Sequence, residues 1–573
     1  MKRLSAILLA FVVSILAQPQ NSKLAADLRD IEPESTLDVI VQYKSPSEPI
    51  SVEQRQRRIE SYGGRLKSDL TGVIQGSTYQ LPAKALELLA EDPDVLYISP
   101  NRALHATLDY STAAVNAGAA WQNGFAGSGI AVAVIDSGIS NHSDLKNSSG
   151  ALRIVYSQDF VGSGTDDQYG HGEHVAGIVA GSGASSIGSI DFRTFRGMAP
   201  AASIVNLRVL DQNGQGTDSA VIAAISAAIK LKKNYNIRVI NLSLGRPVYE
   251  SYTLDPLCQA VEAAWKAGIV VVVAAGNDGR NNSAGTNGYG TIMAPGNDPF
   301  VITVGAMKTM GTYSRSDDLI ASYSSKGPTL IDHIVKPDLV APGNRVVSLL
   351  ASTANLPKTY PNNAIPLTYY ENTGSGALSN MYFTLSGTSM ATPVVSGAAV
   401  LLLQQNSNLT PDQVKARLMK TAYKAFPGSS VAVDPVTGAS YTSQYDIFTI
   451  GAGYLDVAVA ISSTALAPSS YGSALSPTAY YDSRSSSVYV KNVATSVAWG
   501  SSSTWSSAAV WGTTVFVGGT AAVWGTAAVW GTAAVWGTNT LSGFAAVWGT
   551  AAVWGTSTTD ATESTPIIIT GEN

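Results

Sequence analysis

Short, continuously apolar runs recur through the middle of the chain, and most of them end on a polar residue or a glycine. Between residues 110 and 464, the runs IAVAVID, SIVNLRVL, RVINLSLG, IVVVVAAGN and FVITVGA alternate with helical patterns such as DSAVIAAISAAIKLKK. Continuous Val and Ile runs are typical of parallel strands that are buried on both faces. The pattern predicts an α/β fold, a mostly parallel sheet covered by helices on both faces. In such sheets functional groups gather at the carboxyl ends of the strands.

A second pattern precedes this region, over residues 37–104. There, LDVIVQY, GSTYQLP and VLYISP are predicted to be strands, and SVEQRQRRIESYGG and AKALELLAEDPDV have helical periodicity. The resulting β-α-β-α-β order predicts a small α+β (ferredoxin-like) domain of the split βαβ kind.

The N-terminus has the pattern of a secretory signal. The positive residues in MKR precede the 14-residue apolar-biased stretch LSAILLAFVVSILA, which ends on small residues. A membrane anchor is the alternative interpretation, but a bilayer span needs about 20 apolar residues. We therefore predict a cleaved signal peptide over residues 1–17, a secreted, extracellular protein and no membrane span.

Beyond residue 464 the alternation of strands and helices stops. Ser, Tyr and Ala dominate residues 465–498, as in a linker, residues 499–556 carry repeats of the hexapeptide AAVWGT, and a tail follows over residues 557–573. An even period keeps alternate side chains on one face of a strand, which favours an accessory β-rich module for surface attachment or secretion. Disorder is the alternative, because Ala, Gly and Thr offer little to bury.

Composition narrows the class of protein. Only 13% of the residues are charged, against roughly 25% in typical soluble domains. The net charge is −5 and no basic stripe is present, so nucleic acid is not an expected partner, and we expect a monomer. The single cysteine, Cys258, rules out a disulfide within this sequence and lies in a helical pattern as a core residue.

Ser389 stands at the start of a long apolar helical pattern, in LSGTSMATPVVSGAAVLLLQQ. Serine is a favoured helix cap, and it is also a nucleophile in many hydrolases. A nucleophilic serine needs a base, and the chain has five histidines. His171 opens a glycine-led helix in YGHGEHVAGIVAG, whereas His174, one turn further along, fits a structural role.

Asp136 and Asn277 each follow an apolar run. A carboxylate at the end of IAVAVI is costly to bury unless it is paired or faces a site, although a loop-capping aspartate is a common alternative for Asp136. Asn277 follows VVVAAG, and a side-chain amide in such a position can stabilise an oxyanion. An asparagine in a glycine turn carries little information by itself.

The motifs AVIDSGI, GHGEHVAG and LSGTSMATP occur in the order Asp, His, Ser, with AAGN between the second and the third. In this order and local context the chain resembles the subtilisin-like (subtilase) serine proteases over roughly residues 106–464. The resemblance implies that Asp136 orients the base, His171 is the general base and acid, and Ser389 is the nucleophile. It further implies an oxyanion hole formed by Asn277 and the backbone N–H of Ser389.

The resemblance also implies two substrate-binding segments, which hold an extended peptide and form the walls of the first specificity pocket. These are SLG and AAG, namely Ser243, Leu244, Gly245, Ala274, Ala275 and Gly276. The floor of that pocket is expected from GTIMAPGNDP.

Two positions depart from the family pattern. Glu173 replaces the threonine usual in HGTHVAG, and it either raises the imidazole pKa modestly or faces solvent. The segment between AGIVAG and GMAP lacks the Asn-rich loop that binds calcium in many relatives, although Asp144 in NHSDL matches one ligand of that site. Structural calcium therefore stays open. No metal or other cofactor is expected in the chemistry itself.

The resemblance extends to residues 37–104, which look like the inhibitory prodomain of this family, with DPDVLYISPN as its closing strand. It implies a propeptide over residues 18–105 that inhibits the enzyme and is cut near residues 104–110 by the enzyme itself. The catalytic domain then covers residues 106–464. His105 lies at this junction and outside the triad.

These expectations combine into one leading hypothesis. The chain is expected to be a secreted serine endopeptidase that acts on protein or peptide substrates and is made as an autoprocessed pre-pro-enzyme. The alternative is a surface or structural protein with an inactive protease domain and a functional Trp-repeat tail.

Overall fold

A computed structural model describes residues 23–25, 28, 31, 35–44, 51–70, 75–100, 110–283, 285–434, 437–482, 487–491 and 569–572. The chain divides into two compact units, a first unit of residues 1–104 and a second unit of residues 105–573. The predicted signal peptide (1–17), the junction at His105 and the repeats (499–556) lie outside the described residues.

The first unit is a four-stranded antiparallel sheet with two helices. Its elements are β1 (Thr36–Tyr43), α1 (Val52–Ser61), β2 (Arg65–Asp69), β3 (Gly76–Pro82), α2 (Leu86–Glu91) and β4 (Val95–Pro100). The strand order β2-β3-β1-β4 with this connectivity is the ferredoxin-like arrangement.

One strand of the first unit, β2, was not among the predicted elements. It reads RLKSD, lies at the sheet edge, is mostly exposed and pairs only with β3 among the described strands. A charged edge strand carries no apolar alternation, so the sequence pattern could not reveal it. The predicted β-α-β-α-β order becomes β-α-β-β-α-β.

The second unit is built from strands and helices in alternation. The described strands are β5 (Ala131–Asp136), β6 (Ile154–Asp159), β7 (Ser203–Arg208), β8 (Ile237–Leu242), β9 (Val270–Ala274), β10 (Ile302–Lys308), β11 (Leu319–Ile320), β12 (Leu339–Pro342), β13 (Val346–Leu349), β14 (Ala364–Pro366), β15 (Leu378–Leu385), β16 (Ser429–Val433), β17 (Ser440–Gln444), β18 (Thr478–Asp482) and β19 (Ser487–Lys491). The described α-helices are α3 (Ser111–Ala114), α4 (Gly118–Gln122), α5 (Gly172–Ala180), α6 (Asp218–Tyr235), α7 (Pro256–Lys266), α8 (Asn355–Thr359), α9 (Thr388–Gln405), α10 (Pro411–Thr421) and α11 (Val457–Ser462).

The central sheet has the predominantly parallel topology that the apolar runs predict. Its order is β11-β10-β9-β8-β5-β7-β6, with β12 beside β10. Every pair is parallel except β10 with the short edge strand β11. All residues of β5, β9 and β10 are buried, as expected for strands covered on both faces.

The second unit continues past residue 464, where the catalytic domain was expected to end. Ala474 is buried and its backbone N–H donates to Asp412 Oδ1 at 2.8 Å. The Ser476 hydroxyl donates to Asp338 Oδ1 at 2.5 Å and accepts from Lys415 Nζ at 2.8 Å. The predicted linker over residues 465–498 is therefore wrong for its described part, which packs into the unit and ends in the β18–β19 hairpin.

Among the described helices, none combines the length and the hydropathy that a membrane crossing requires.

Candidate active site

Three neighbouring parallel strands carry predicted site residues at their carboxyl ends. Asp136 is the last residue of β5, Ser243 directly follows β8, and Ala274 is the last residue of β9. Because β5 pairs with β8 and β8 with β9, these three ends open at the same edge of the sheet.

Two helices bring the other predicted groups to this edge. His171 immediately precedes α5, and Ser389 is the second residue of α9. The first turn of a helix has backbone N–H groups without an intrahelical partner, and the helix dipole favours negative charge there. A negative charge that develops next to Ser389 would be stabilised by both the free N–H groups and the helix dipole.

His171 and Asp136 form a buried pair. The distance from His171 Nδ1 to Asp136 Oδ1 is 2.8 Å, and the two residues are 4% and 1% exposed. The backbone N–H of Ser137 donates to the same oxygen at 2.7 Å. A carboxylate bonded to Nδ1 holds the imidazole in the tautomer whose Nε2 can accept a proton.

The pKa of His171 is raised above its ordinary value. Burial alone would lower it, but the negative charge of Asp136, the hydrogen bond to that carboxylate and the charge of Asp167 together outweigh burial. The pair therefore stabilises the imidazolium.

Asp167 bonds to residues next to both members of this pair, and the sequence analysis did not identify it. Its Oδ1 accepts from the Ser137 hydroxyl at 2.8 Å, and the same hydroxyl accepts from the N–H of Gly172 at 2.8 Å. Its Oδ2 accepts from the N–H of Glu173 at 2.8 Å. Asp167 thus connects the end of β5 to the start of α5. Its position four residues before His171, in DQYGH, is the local signal that could have identified it.

Glu173 has neither of the roles expected for it. It is 1% exposed, so it does not face solvent, and its Oε2 accepts from the backbone N–H of Ser140 at 2.5 Å. Burial raises its pKa well above the usual value, which favours the neutral acid. The charges that act on the His171 imidazole are those of Asp136 and Asp167.

The hydroxyl of Ser389 lies in the cleft beside these groups. Among the described residues it donates to the carbonyl oxygen of Ser243 at 3.2 Å. The Ser243 hydroxyl in turn donates to the carbonyl of Ser389 at 2.7 Å. Within the described residues Ser389 and His171 both line the cleft but form no hydrogen bond with each other. Hydrogen bonds between catalytic groups are often long without substrate and tighten in the substrate complex.

The side chain of Asn277 is oriented by the residue before Ser389. Its Oδ1 accepts from the N–H of Thr388 at 2.9 Å and from the Thr388 hydroxyl at 3.1 Å. Because these two bonds fix the position of Oδ1, they also fix the opposite side of the amide, where the Nδ2 amino group can donate a hydrogen bond. Gly387 lies against Nδ2 at φ 140°, and a Cβ there would approach it to 3.2 Å. The glycine keeps this approach open.

A cleft of about 480 Å³ joins these groups. Its lining includes His171, Asn277, Ser389 and five of the six predicted substrate-binding residues, namely Ser243, Leu244, Gly245, Ala274 and Gly276. Ala275 is the exception within the described residues. It is fully buried, its N–H donates to Val304 and its carbonyl accepts from Met293 at 3.0 Å in each case, so its backbone is used inside the protein.

Met293 closes one side of this cleft and was not resolved from the sequence, which gave only the segment GTIMAPGNDP. A Cβ on Gly276, which has φ 107°, would lie 2.8 Å from Met293 Cγ. A Cβ on Gly245 would lie 3.1 Å from Met293 Cβ. Because these two positions are glycines, the Met293 side chain can pack against the backbone of Gly245 and Gly276 in the wall of the cleft.

His174 and Cys258 lie outside this chemistry. His174 Nε2 is 3.0 Å from the carbonyl oxygens of both Val346 and Phe383. Burial, with the nearby His171 charge, lowers the His174 pKa to about 3, so it is a neutral structural residue. Cys258 is buried in α7, where burial raises its thiol pKa.

Asp144, the candidate calcium ligand, has both carboxylate oxygens occupied by donors. Oδ1 accepts from the N–H of Ser185 at 2.8 Å, and Oδ2 accepts from the hydroxyl of Tyr382 at 2.9 Å. Calcium requires six to eight oxygen ligands. No group of three or more His, Cys, Asp or Glu side chains suited to a metal ion occurs within the described residues. Within the described residues, Asp144 is thus part of a hydrogen-bonded cluster with Ser185 and Tyr382.

Comparison with known proteins supplies the family. Residues 127–453 match the family model described as the Subtilase family. The chain is 38% identical to serine protease AprX of Bacillus subtilis over 376 residues, which cover 64% of this chain and 77% of that protein. It is 33% identical to subtilisin E of Bacillus subtilis over 390 residues, 67% of this chain and 84% of the relative.

A further relative is subtilisin DY of Bacillus licheniformis, 36% identical over 318 residues that cover 55% of this chain and 92% of the relative. The family-model match over residues 127–453 includes the strands and helices that form the cleft. The chain is a subtilisin-like serine endopeptidase and belongs to the subtilase family.

Proposed function

We propose that this endopeptidase cleaves peptide bonds through an Asp136, His171 and Ser389 triad, with Asn277 and the Ser389 backbone N–H as the oxyanion hole. The observation that carries the proposal is the 2.8 Å contact of His171 with Asp136 at the edge of a cleft that Ser389 also lines. The orientation of Asn277 by Thr388 supports the assignment of its Nδ2 as the second donor.

In the acylation step, Ser389 Oγ forms a bond to the carbonyl carbon of the scissile peptide, and its proton passes to His171 Nε2. Asp136 stabilises the imidazolium that results. The carbonyl oxygen becomes negative and is bound by Asn277 Nδ2 and the Ser389 N–H. The C–N bond then breaks, and His171 returns the proton to the leaving amine.

In the deacylation step, water replaces the amine. His171 accepts a proton from water while the water oxygen attacks the acyl carbon. The bond from that carbon to Ser389 Oγ breaks, and the proton returns to Oγ. A carboxylic acid leaves, and the free enzyme is restored.

We also propose that the substrate is an extended polypeptide. The lining of the cleft includes the ends of β8 and β9, where Ser243 and Ala274 lie. Met293 and the glycines 245 and 276 offer an apolar surface to one side chain of the substrate. A structural or surface protein without activity, the alternative weighed from the sequence, gains no support from the site.

The maturation pathway is part of the proposal. Residues 1–17 are assigned as a signal peptide for secretion, and residues 18–105 as a propeptide whose folded part inhibits the enzyme until it is cut. Two facts support the assigned end of the propeptide: the first unit folds as a compact body, and its boundary with the second unit falls at residues 104 and 105.

The decisive variant is Ser389→Ala, made as the full chain in a secretion host that lacks extracellular proteases. Because the nucleophile also performs the first cut, this variant should retain residues 18–105 and hydrolyse no peptide substrate. Intact mass and N-terminal sequence of the secreted protein give the readout. Ser407→Ala, at an exposed serine just beyond the far end of α9, is the matched control and should mature normally. Maturation of Ser389→Ala would contradict the triad and self-processing together.

A second prediction separates donation by Asn277 from support of Thr388. Asn277→Asp keeps an acceptor for Thr388 but loses the Nδ2 donor, so kcat should fall by about 10²–10³ with little change in KM. Asn277→Ala should lose as much, and the exposed control Asn408→Ala should lose nothing. Near-normal kcat for Asn277→Asp on a peptide substrate would reassign Asn277 to a supporting role.

A further inference from the structure

The last described residues of the chain pack against the second unit. Residues 569–572 follow the repeats in sequence, yet Glu572 is only 6% exposed and is surrounded by groups from residues 280 to 344. We name this surrounding set, formed by Arg280, Lys308, Ser322 and Asn344, the tail pocket.

The tail pocket binds the carboxylate of Glu572 with two cations and two neutral donors. Arg280 Nη2 lies 2.5 Å from Oε1, and Lys308 Nζ lies 3.3 Å from Oε2. The backbone N–H of Ser322 donates to both oxygens at 3.0 and 3.1 Å, and the Ser322 hydroxyl also donates to Oε1. Charge-assisted hydrogen bonds of this kind are stronger than neutral ones.

The backbone of the tail is recognised as well. Asn344 Oδ1 accepts from the N–H of Glu572 at 2.8 Å, while Asn344 Nδ2 donates to the carbonyl of Glu572 at 2.8 Å. Asn363 Nδ2 donates to the carbonyl of Ile569 at 2.6 Å. One side-chain amide thus pairs with both backbone groups of a single residue, as a neighbouring strand would.

The residue before Glu572 has to be glycine. Gly571 has φ 62°, in the left-handed region, and a Cβ there would overlap the hydroxyl of Ser386 and approach Arg345 Cγ to 2.8 Å. An alanine would meet both obstacles at once. The pocket therefore selects a glycine followed by an acidic residue.

The electrostatics of the pocket match a carboxylate. Burial alone would raise the pKa of Glu572, but the Ser322 hydrogen bond and the charges of Lys308 and Arg280 outweigh burial and lower it. The side chains of Arg280 and Lys308 are only 12% and 5% exposed. Cations this buried are costly without a counter-charge, and Arg280 pairs with Asp434 at 3.1 Å through Nη1 as well as with Glu572 through Nη2.

We propose that the tail pocket is a binding site for the chain's own C-terminal Gly571–Glu572 segment. Residues 487–491, in β19, and residues 569–572 both belong to the second unit. Residues 492–568, which include the AAVWGT repeats, connect these two segments in sequence. The tether raises the effective concentration of the tail at the pocket, so a short segment suffices for stable binding.

The test uses the full chain with Ser389→Ala, which prevents self-cleavage, and measures hydrogen exchange by mass spectrometry. Adding Glu572→Gln keeps the shape of the side chain and removes its charge. Amide exchange should then rise about tenfold or more in two peptides, the one that contains Ser322 and the one that contains residues 569–572. Glu563→Gln, a second carboxylate of the same tail, is the matched control and should change neither. Equal exchange in parent and Glu572→Gln would overturn the proposal.

A binding measurement covers the case in which Glu572→Gln changes the fold of the unit. A labelled peptide TPIIITGEN should bind saturably to the Ser389→Ala, Glu572→Lys chain, whose own tail cannot fill the tail pocket. It should bind at least tenfold more weakly to the parent, the chain that carries Ser389→Ala alone. The same peptide with alanine in place of glycine should not bind. Absence of saturable binding to the lysine variant would overturn the proposal. So would a dimer of the parent that the lysine variant converts to a monomer, since the tail would then belong to a neighbouring copy.

Discussion

One ion pair of the first unit and one ion-pair cluster of the second unit differ sharply in burial. In the first unit, Lys67 and Asp38 lie 2.7 Å apart, with 40% and 32% of their side chains exposed. In the second unit, Asp338 lies 2.7 Å from Lys336 and 3.2 Å from Lys415, and none of the three side chains is exposed. Exposed pairs contribute little to stability, whereas a buried pair becomes costly when one partner is removed.

This difference in the burial of charges bears on how each unit unfolds. The buried charges of the second unit have dense compensation, since Lys415 Nζ also donates to the carbonyls of Pro299 and Val301 at 2.8 and 3.0 Å. Such a cluster cannot open in part without exposing an unpaired charge to the core, which favours cooperative unfolding. The first unit has a smaller core. A removable prodomain, as proposed above, would suit that difference.

The largest expected effect comes from breaking the buried cluster. Asp338→Asn leaves Lys336 and Lys415 without their counter-charge and should destabilise the second unit by about 3–5 kcal/mol. Asp38→Asn, its counterpart in the first unit, should cost less than about 1 kcal/mol. Native-state hydrogen exchange of the Ser389→Ala chain reports each unit separately. Similar losses of unfolding free energy in the two variants would contradict the difference between the buried cluster and the exposed pair.

A smaller effect should appear in the pH dependence of stability. Burial lowers the pKa of Lys415 to about 7, despite the opposing charge of Asp338, and burial lowers that of Lys424 to about 7. An unfolded lysine titrates near about 10.4. Between these values the unfolded chain binds more protons than the folded one, so the free energy of unfolding of the second unit should rise with pH.

The measurement for this prediction is the exchange-derived stability of each unit between about pH 7.5 and 9.5, with the Ser389→Ala background. Lys424→Met should flatten the rise, whereas Lys233→Met, at an exposed position on α6, should leave it unchanged. No buried lysine occurs in the described part of the first unit, so that unit should show no comparable rise. A second unit that loses stability over this interval would contradict the burial of these charges.

The smallest effect uses the same helix cap in both units. Ser51 with Gln54 caps α1, and Thr410 with Gln413 caps α10, each as a reciprocal pair of side-chain to backbone hydrogen bonds. Ser51→Ala and Thr410→Ala should each cost about 1 kcal/mol. Exchange should show a larger fractional loss of stability in the first unit. An equal fractional loss would mean that the two units have similar total stability.

Local patterns predicted the parts of the site that depend on where a strand ends or a helix begins. The motif around Asp136 lies at the end of β5, and the motifs around His171 and Ser389 lie at the starts of α5 and α9. Apolar runs fix these termini because a buried strand must stop where polar residues begin. The contact of His171 with Asp136 depends on the packing of α5 against the end of β5, where Ser137 and Asp167 bond to the first residues of the helix.

The missed features depend on partners that are distant in sequence. Ser476 pairs with Asp338 across 138 positions, and Glu572 with Ser322 across 250. A serine in a Ser-rich stretch and a glutamate near the end of the chain have no local pattern that marks them. Glu173 was misjudged for the same reason, since its burial is set by how α5 packs and not by its neighbours in sequence.

The single cysteine has a practical consequence for labelling. Cys258 is fully buried, its Sγ lies 3.3 Å from Asn297 Oδ1, and burial raises its thiol pKa. Because the thiolate is the reactive form, the native protein should not react with maleimide reagents at neutral pH. A cysteine introduced on the surface would then be the one reactive thiol. Fluorophores or spin labels can therefore be attached at chosen sites without first replacing the native residue.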